Sequence, residues 1–204
     1  YTTDQGSTAC QQCPAGHSCA TASAAPLACD PGYFASARET RCTRASAGSA
    51  TLADQSGESV CPAGSFAPAG SVNCSRCGEG FFSESSASGA GICVRVSAGY
   101  HANITAEEGR VGQLPCDPGS FSAGGLDTCD ACRDGEWSLE GAASCTPCSA
   151  GTNCTDATLP PQDCPSGTFS NPAKGTLACT MCSPGTNQPE TKQSSCEACA
   201  TGWF

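Results

Sequence analysis

The chain has 204 residues, a formal net charge of −10 and 20 cysteines, about one residue in ten and the level of a disulfide scaffold. Leu, Ile, Val and Phe number only 21, roughly half the share below which a chain is expected to stay disordered, so a conventional apolar core is excluded and cross-links must replace it. The 9 basic residues stand singly, which excludes the clustered cations that nucleic acid or an anionic membrane surface needs; no apolar run approaches a membrane span and no stretch reads as a signal peptide.

One phrase recurs along the chain. Ten cysteines are followed by a glycine three positions on: Cys13, Cys29, Cys61, Cys77, Cys116, Cys132, Cys148, Cys164, Cys182 and Cys199. Seven of these place Phe, Tyr or Trp within the next two residues. Such self-similarity is the signature of a tandem repeat.

Tyr1 to Cys10 reads as the second half of a module: an aromatic, a polar return with a glycine, then a cysteine. Cys13-Pro-Ala-Gly-His-Ser-Cys19 follows, nine residues ahead of Cys29-Asp-Pro-Gly-Tyr-Phe34, and Cys148 to Phe169 repeats all of its cysteine spacings. A second phrase, C-x-R-x-S-A-G, occurs at Cys42 and Cys93. Each copy leads into a cysteine-free joint, and these joints are the expected bends or lateral contact sites. The organisation expected is a half module and a C-x2-C-x5-C unit over 1–28, then hairpin modules over 29–76 with a long joint at 43–60. Hairpin modules over 77–131 carry a joint at 94–115, a module and a second C-x2-C-x5-C unit fill 132–163, and 164–204 ends in a half module. Pro at the second and Gly at the fourth position of Cys61-Pro62-Ala63-Gly64 suit a type I turn, whereas Asp30-Pro31-Gly32 suits type II. The fold class expected is small and disulfide-rich: tandem short β-hairpin modules stacked into an elongated rod, with little or no helix.

Parity and ring size leave two pairing registers open. Neighbours across each hairpin would give Cys13–Cys19, Cys29–Cys42, Cys61–Cys74, Cys77–Cys93, Cys116–Cys129, Cys132–Cys145, Cys148–Cys154, Cys164–Cys179 and Cys182–Cys196. The other register closes six C-x2-C rings, which suit redox sites better than structural ones. The first is favoured. It leaves Cys10 and Cys199 without partners, and joining the tail to the head places 14 residues between them, as between Cys164 and Cys179. Two explanations stand: an excerpt of a longer tandem-repeat protein, or a protomer continued head to tail through an inter-unit Cys199–Cys10 bridge, with Trp203, Phe204 and Tyr1 at the same boundary.

The phrase C-P-x-G-x-[FY]…C-x2-C-x2-G, most complete at Cys61–Cys77, Cys116–Cys148 and Cys164–Cys182, resembles the ephrin-receptor-like cysteine-rich repeats. More distantly it is similar to the cysteine-rich modules of tumour necrosis factor receptors. The resemblance implies elongated extracellular rods with neighbour-to-neighbour bridges, and among its settings algal or protist surface fibres such as mastigonemes suit the acidic, Ala/Gly/Ser-rich composition. The long joints depart from its pattern.

Cys129-x2-Cys132-x12-Cys145-x2-Cys148 has zinc-ribbon spacing, but it belongs to a run of shared joints that does not divide into fours, so no metal is expected. Asn73, Asn103 and Asn153 open sequons; Asn103 is the preferred acceptor because cysteine occupies the middle position of the other two. N-linked and O-linked glycans are the expected additions, with no other cofactor. His17 and His101 lie in unrelated contexts, and Asp127, Asp130, Asp134 and Glu136 match no calcium loop. No nucleophile–base pair or phosphate loop is found, so no enzyme is expected. The function expected is an extracellular structural protein, a glycosylated rod of a filament, stalk or appendage. Its partners would be copies of itself or flanking repeats, with no nucleic acid and no membrane contact within this segment. The alternative is the ectodomain of a surface receptor or adhesin for a protein or glycan ligand.

Overall fold

In a computed structural model of the chain, residues 1–2, 5–6, 8–84 and 89–202 are described. They form eleven two-stranded sheets. β1 (His17–Ser18) pairs with β2 (Leu27–Ala28), β3 (Tyr33–Phe34) with β4 (Thr43–Arg44), and β5 (Ser49–Thr51) with β6 (Glu58–Val60). Next come β7 (Ser65–Phe66) with β8 (Ser75–Arg76), β9 (Phe81–Phe82) with β10 (Val94–Arg95), and β11 (Tyr100–Thr105) with β12 (Gly109–Pro115). β13 (Ser120–Phe121) pairs with β14 (Asp130–Ala131), and β15 (Glu136–Trp137) with β16 (Thr146–Pro147). The last three pairs are β17 (Thr152–Asn153) with β18 (Gln162–Asp163), β19 (Thr168–Asn171) with β20 (Thr176–Met181), and β21 (Thr186–Asn187) with β22 (Glu197–Ala198). One 3-10 turn, Pro172–Lys174, is the helical content of the described residues. The fold is therefore a disulfide-rich hairpin repeat. Two compact units are formed, Tyr1–Arg95 with Ala102–Gln113, and Val96–His101 with Leu114–Phe204.

The turn glycine starts each module. In the first unit Gly16, Gly32, Gly48, Gly64 and Gly80 recur every 16 residues, all with positive φ. The amide of the following residue closes the turn on the residue three back, as in Tyr33 N–H to Asp30 C=O (3.0 Å) and Ser65 N–H to Pro62 C=O (3.1 Å). A left-handed residue at the third position makes these type II turns. The type I turn expected at Cys61-Pro62-Ala63-Gly64 is thus corrected: Pro62 is the first residue of the turn and Gly64 the third, at φ +75°.

Gly48 belongs to this period although no cysteine precedes it by three. The stretch expected as the joint 43–60 holds the hairpin β5–β6, and 94–115 holds β11–β12. In both, the opening cysteine is replaced by a small apolar residue, Ala45 and Val96, each 1 % exposed. The position that closes the ring elsewhere carries Glu58 and Gln113.

The turn glycines give their carbonyls to the next module, and seven of them give their N–H as well. In the first unit, Cys29 N–H donates to Gly16 C=O (2.9 Å), Ala45 to Gly32 (2.9 Å), Cys61 to Gly48 (2.8 Å) and Cys77 to Gly64 (2.9 Å). In return Gly16 N–H donates to Ala35 C=O (2.8 Å), Gly48 to Ala67 (2.7 Å) and Gly64 to Ser83 (2.9 Å). The second unit repeats this: Cys116, Cys132, Cys148, Cys164 and Cys182 donate to Gly99, Gly119, Gly135, Gly151 and Gly167 at 2.8 to 2.9 Å. Hairpins of two residues per strand are marginal alone, so this ladder and the bridges carry the order.

What is buried is small. Three residues after the turn glycine stand Ala35, Ala67, Ser83 and Ala102 in the first unit, and Ser122, Ser138, Cys154, Ser170 and Gln188 in the second, all buried. The serines are satisfied: Ser83 Oγ donates to Ser65 C=O (2.9 Å), Ser138 Oγ to Ser120 C=O (2.8 Å) and Ser170 Oγ to Thr152 C=O (2.7 Å). Of the aromatics at the preceding position, Phe82 is buried, while Phe34, Phe66, Phe121, Trp137 and Phe169 are half-buried. No helix among the described residues is long and apolar enough to cross a membrane.

Candidate functional site

The chemistry-bearing residues of this chain are its cysteines, and the ladder positions them. A cysteine opening one hairpin follows, after two residues, the cysteine closing the hairpin before it. Nine bridges result: Cys13–Cys19, Cys29–Cys42, Cys61–Cys74, Cys77–Cys93, Cys116–Cys129, Cys132–Cys145, Cys148–Cys154, Cys164–Cys179 and Cys182–Cys196. These are the pairs of the neighbour register. Their Cα–Cα separations run from 5.4 Å at Cys164–Cys179 to 6.3 Å at Cys148–Cys154, within the span a disulfide bridges. The four cysteines with zinc-ribbon spacing are divided among three bridges: Cys129 pairs with Cys116, Cys132 with Cys145, and Cys148 with Cys154. Among the described residues no cluster of His, Cys, Asp and Glu is arranged to hold a metal ion.

Two bridges have a different shape for a legible reason. Cys19, half-buried, and Cys154, buried, stand three residues after the turn glycine, where most other modules have Ala or Ser, and each pairs back to the cysteine opening its own hairpin. The ring-closing position is then free of cysteine and carries Pro26 and Pro161.

Cys10 and Cys199 are free, the first exposed and the second half-buried. Each nonetheless stands in the ladder. Cys199 N–H donates to Gly185 C=O (2.9 Å), as an opening cysteine does, and Gly202 follows with φ +96°. At the other end Tyr1 and Gln11 exchange backbone bonds, Gln11 N–H to Tyr1 C=O (2.9 Å) and the Tyr1 ammonium to Gln11 C=O (2.6 Å). Thr2 N–H donates to Ala22 C=O (2.9 Å), the bond Ala35 makes to Gln55 (3.0 Å) in a complete module. Tyr1 and Cys10 therefore sit as an aromatic and a ring-closing cysteine do. Trp203 and Phe204 lie outside the described residues.

The sequon asparagines are in three settings. Asn73 is exposed next to bridged Cys74; Asn153 is exposed, and its Oδ1 accepts from the Thr155 amide (3.3 Å) and hydroxyl (3.1 Å). Asn103 is half-buried within β11, and the Thr105 hydroxyl of its sequon accepts from Glu108 N–H (3.2 Å). Nδ1 of His17 donates to Ala15 C=O (3.0 Å), and His101 is half-buried on β11. Asp130 and Asp134 are exposed, and Glu136 Oε2 turns back to accept from Arg133 N–H (3.3 Å).

Two carboxylates are tuned by their own turns. The Ser56 hydroxyl (2.7 Å) and amide (3.1 Å) donate to Asp54 and hold it below the ordinary carboxylate range. The Thr158 hydroxyl (2.6 Å) and amide (2.9 Å) do the same to Asp156. Ala45 and Val96 as module openers are the residues that cysteine counting misses. The signal that finds them is glycine: Ala45-Ser-Ala-Gly48 and Val96-Ser-Ala-Gly99 keep the turn spacing after the cysteine is gone.

No protein-family model matches the chain, and no curated protein matches it. The architecture is that of a cysteine-rich repeat protein, and nine bridges suit an oxidising compartment such as the extracellular space.

Proposed function

We propose that this chain is a structural segment of an extracellular filament, stalk or surface appendage, akin to the ephrin-receptor-like repeats of algal and protist surface fibres. A single observation supports the reading most directly: turn glycines along the described chain, Gly16, Gly64, Gly119 and Gly167 among them, bond through their carbonyls to the opening residue of the next module, so successive modules are joined backbone to backbone. A repeat of this kind continues by presenting the same backbone groups again, so its natural partner is another repeat, flanking or in a second copy, with Cys199 bridged to the Cys10 position of the next. A structural role also accounts for chemistry limited to bridges and turn-bound carboxylates, and the reading assigns no catalysis. N-linked sugars on Asn73, Asn103 or Asn153 belong to it.

Non-reducing peptide mapping of the native assembly, paired with electron microscopy, tests this. The reading expects a Cys199–Cys10 cross-link, or a link from either cysteine to a flanking repeat, together with a fixed axial repeat and sugar mass on the sequon peptides. A solitary, monodisperse particle whose Cys10 and Cys199 both alkylate without reductant would sink it.

A further inference from the structure

The second unit holds a shallow cavity of about 210 Å³ whose lining mixes apolar rings with opposite charges. Trp137, Pro147 and Pro161 line it on the apolar side, and Thr152, Asp163 and Lys192 on the polar side. Lys192 Nζ and Asp163 Oδ1 form an ion pair at 3.1 Å, with both side chains more than half exposed. Nothing about the hairpin fold requires this pair. A solvent-exposed ion pair contributes little to stability, and here it stands at a cavity lined also by an aromatic ring and two prolines.

The backbone that carries the lining is also held in place before any ligand arrives. Trp137 is in register with Thr146 across β15–β16, and Thr152 Oγ1 donates to Ser149 C=O (2.8 Å). Lys192 is fixed through its backbone: it adopts φ +59°, its N–H donates to Cys164 C=O (2.9 Å), and its carbonyl lies against Gly151. The prolines have no side-chain entropy to lose. Such preorganisation reduces the cost of binding.

We propose that this cavity is a binding subsite for one neutral pyranose ring of a glycan. Volume sets the size, since about 210 Å³ lies below the range of drug-sized sites and suits a single hexose or pentose. Charge selects against ions, because Asp163 and Lys192 neutralise each other and leave the cavity without the net charge an ionic ligand would need, and the −10 of the chain as a whole further repels anions. Polarity selects against a wholly apolar ligand, which would strip water from the ion pair without replacing its hydrogen bonds. A sugar ring meets every requirement. Its C–H face stacks on the indole and the prolines. Its hydroxyls donate to the Asp163 carboxylate and accept from the Lys192 ammonium, so they enter without breaking the pair. The hydroxyl of Thr152, its proton already given to Ser149, accepts from a third. The site stands independently of how copies of the chain assemble.

The test uses the full chain with Trp203→Phe, leaving Trp137 as the sole indole of the two in the sequence. It is titrated with the methyl glycosides of glucose, galactose, mannose, xylose and arabinose, and with glycerol at equal molarity. At least one glycoside should change Trp137 emission saturably while glycerol does not. Asp163→Asn and Lys192→Asn, the latter chosen because Asn tolerates a positive φ, should each weaken that affinity about tenfold, the loss of one charge-assisted hydrogen bond. Trp137→Phe should weaken it and Trp137→Ala abolish it, followed by ligand-observed NMR, with peptide mapping to verify the nine bridges. The proposal is overturned if no glycoside gives a saturable signal, or if Asp163→Asn and Lys192→Asn both leave the affinity unchanged.

Discussion

The carbonyl oxygen of Asp54 occupies the place where a β-carbon on Gly16 would stand. The two residues belong to modules separated by a whole hairpin, so the turn glycine touches the second module onward as well as bonding to the next. The relation recurs: Gly32 meets the Gly70 carbonyl and Gly64 that of Glu108 in the first unit, and in the second Gly99 meets Gly141 and Gly151 meets Lys192. The glycine of C-x2-G thus answers two demands, a left-handed turn residue and a bare α-carbon against a backbone carbonyl. The arginines reinforce the same two-module reach, Arg44 Nη2 donating to Ala69 C=O (2.8 Å) and Arg76 Nη2 to Glu107 C=O (3.2 Å).

The two demands can be separated by mutation. Gly185 has φ +82° and, among the described residues, open space for 4 Å around the position a methyl would take, whereas Gly32 has φ +79° and a backbone carbonyl in the way. Gly185→Ala should therefore show only the cost of a left-handed alanine, about 1 to 2 kcal/mol. Gly32→Ala should cost roughly 1 to 3 kcal/mol beyond that, since a backbone oxygen cannot rotate away. Denaturant midpoints of the oxidised proteins, or exchange rates of the Ala45 amide bonded to Gly32, measure the gap. Equal losses in the two variants would contradict the two-module contact.

The bridge-free hairpins invite the converse experiment. Ala45 and Glu58 stand 13 residues apart, the spacing of Cys29–Cys42 and Cys61–Cys74, and Glu58 Oε2 now accepts from Ser46 N–H at 2.6 Å. The double variant Ala45→Cys/Glu58→Cys should form a tenth bridge. The loop-closure model puts the gain near 3 kcal/mol for a ring of this size, less the lost Glu58 hydrogen bond, about 1 kcal/mol. Intact mass under non-reducing conditions reports the bridge and thermal unfolding the gain. Four free thiols in an otherwise folded variant, two more than Cys10 and Cys199 already supply, would show that these positions do not match those of a bridged module.

Much of this was legible in the residues because the repeat is marked three times over, by cysteine, by glycine and by the aromatic. Where all three occur, as at Cys61 to Cys77, the hairpin follows from spacing and the neighbour bridge is the favoured of two registers. Where the cysteine is absent, Ala45 and Val96 resemble ordinary linker residues, and only the recurrence of Gly48 and Gly99 reveals the module. The two-module contacts were illegible for a different reason: they are made by backbone carbonyls of Asp54, Gly70 and Glu108, which carry no side-chain signature. Trp137 and Lys192 lie 55 residues apart, so their meeting at one cavity depends on that same unmarked geometry.

The buried serines test how tightly the small-residue column is packed. Ser138 is 3 % exposed and donates to Ser120 C=O, while Ala35 and Ala67 fill the equivalent place in the first unit at 1 % and 0 %. Ser138→Ala should lose the hydrogen bond and little else, about 1 kcal/mol. Ser138→Val adds bulk where the neighbouring backbone leaves none and should cost more, roughly 1 to 3 kcal/mol from overpacking in addition to the bond. A valine variant as stable as the alanine variant, by denaturant midpoint, would mean that the column has room to spare.

Acid should act first on the turns that Asp54 and Asp156 close. Both carboxylates are held below the ordinary value, chiefly by the Ser56 and Thr158 hydroxyls and then by the amides of the same residues. A carboxyl with a lowered value in the folded chain adds stability above its unfolded value and loses it as pH falls through the folded one. Both groups are fully exposed to solvent, so the effect is local to each turn. The adjoining carbonyls matter there: Gln55 C=O accepts from Ala35 N–H (3.0 Å) and Ala157 C=O from Ser138 N–H (3.0 Å). Carboxyl-carbon NMR titration should place the midpoints of Asp54 and Asp156 below the ordinary carboxylate range. Ser56→Ala and Thr158→Ala should raise the midpoint of the matching aspartate and leave the other in place, because the two turns share no partner. A midpoint that stays put after loss of its hydroxyl would assign the shift to the amide alone.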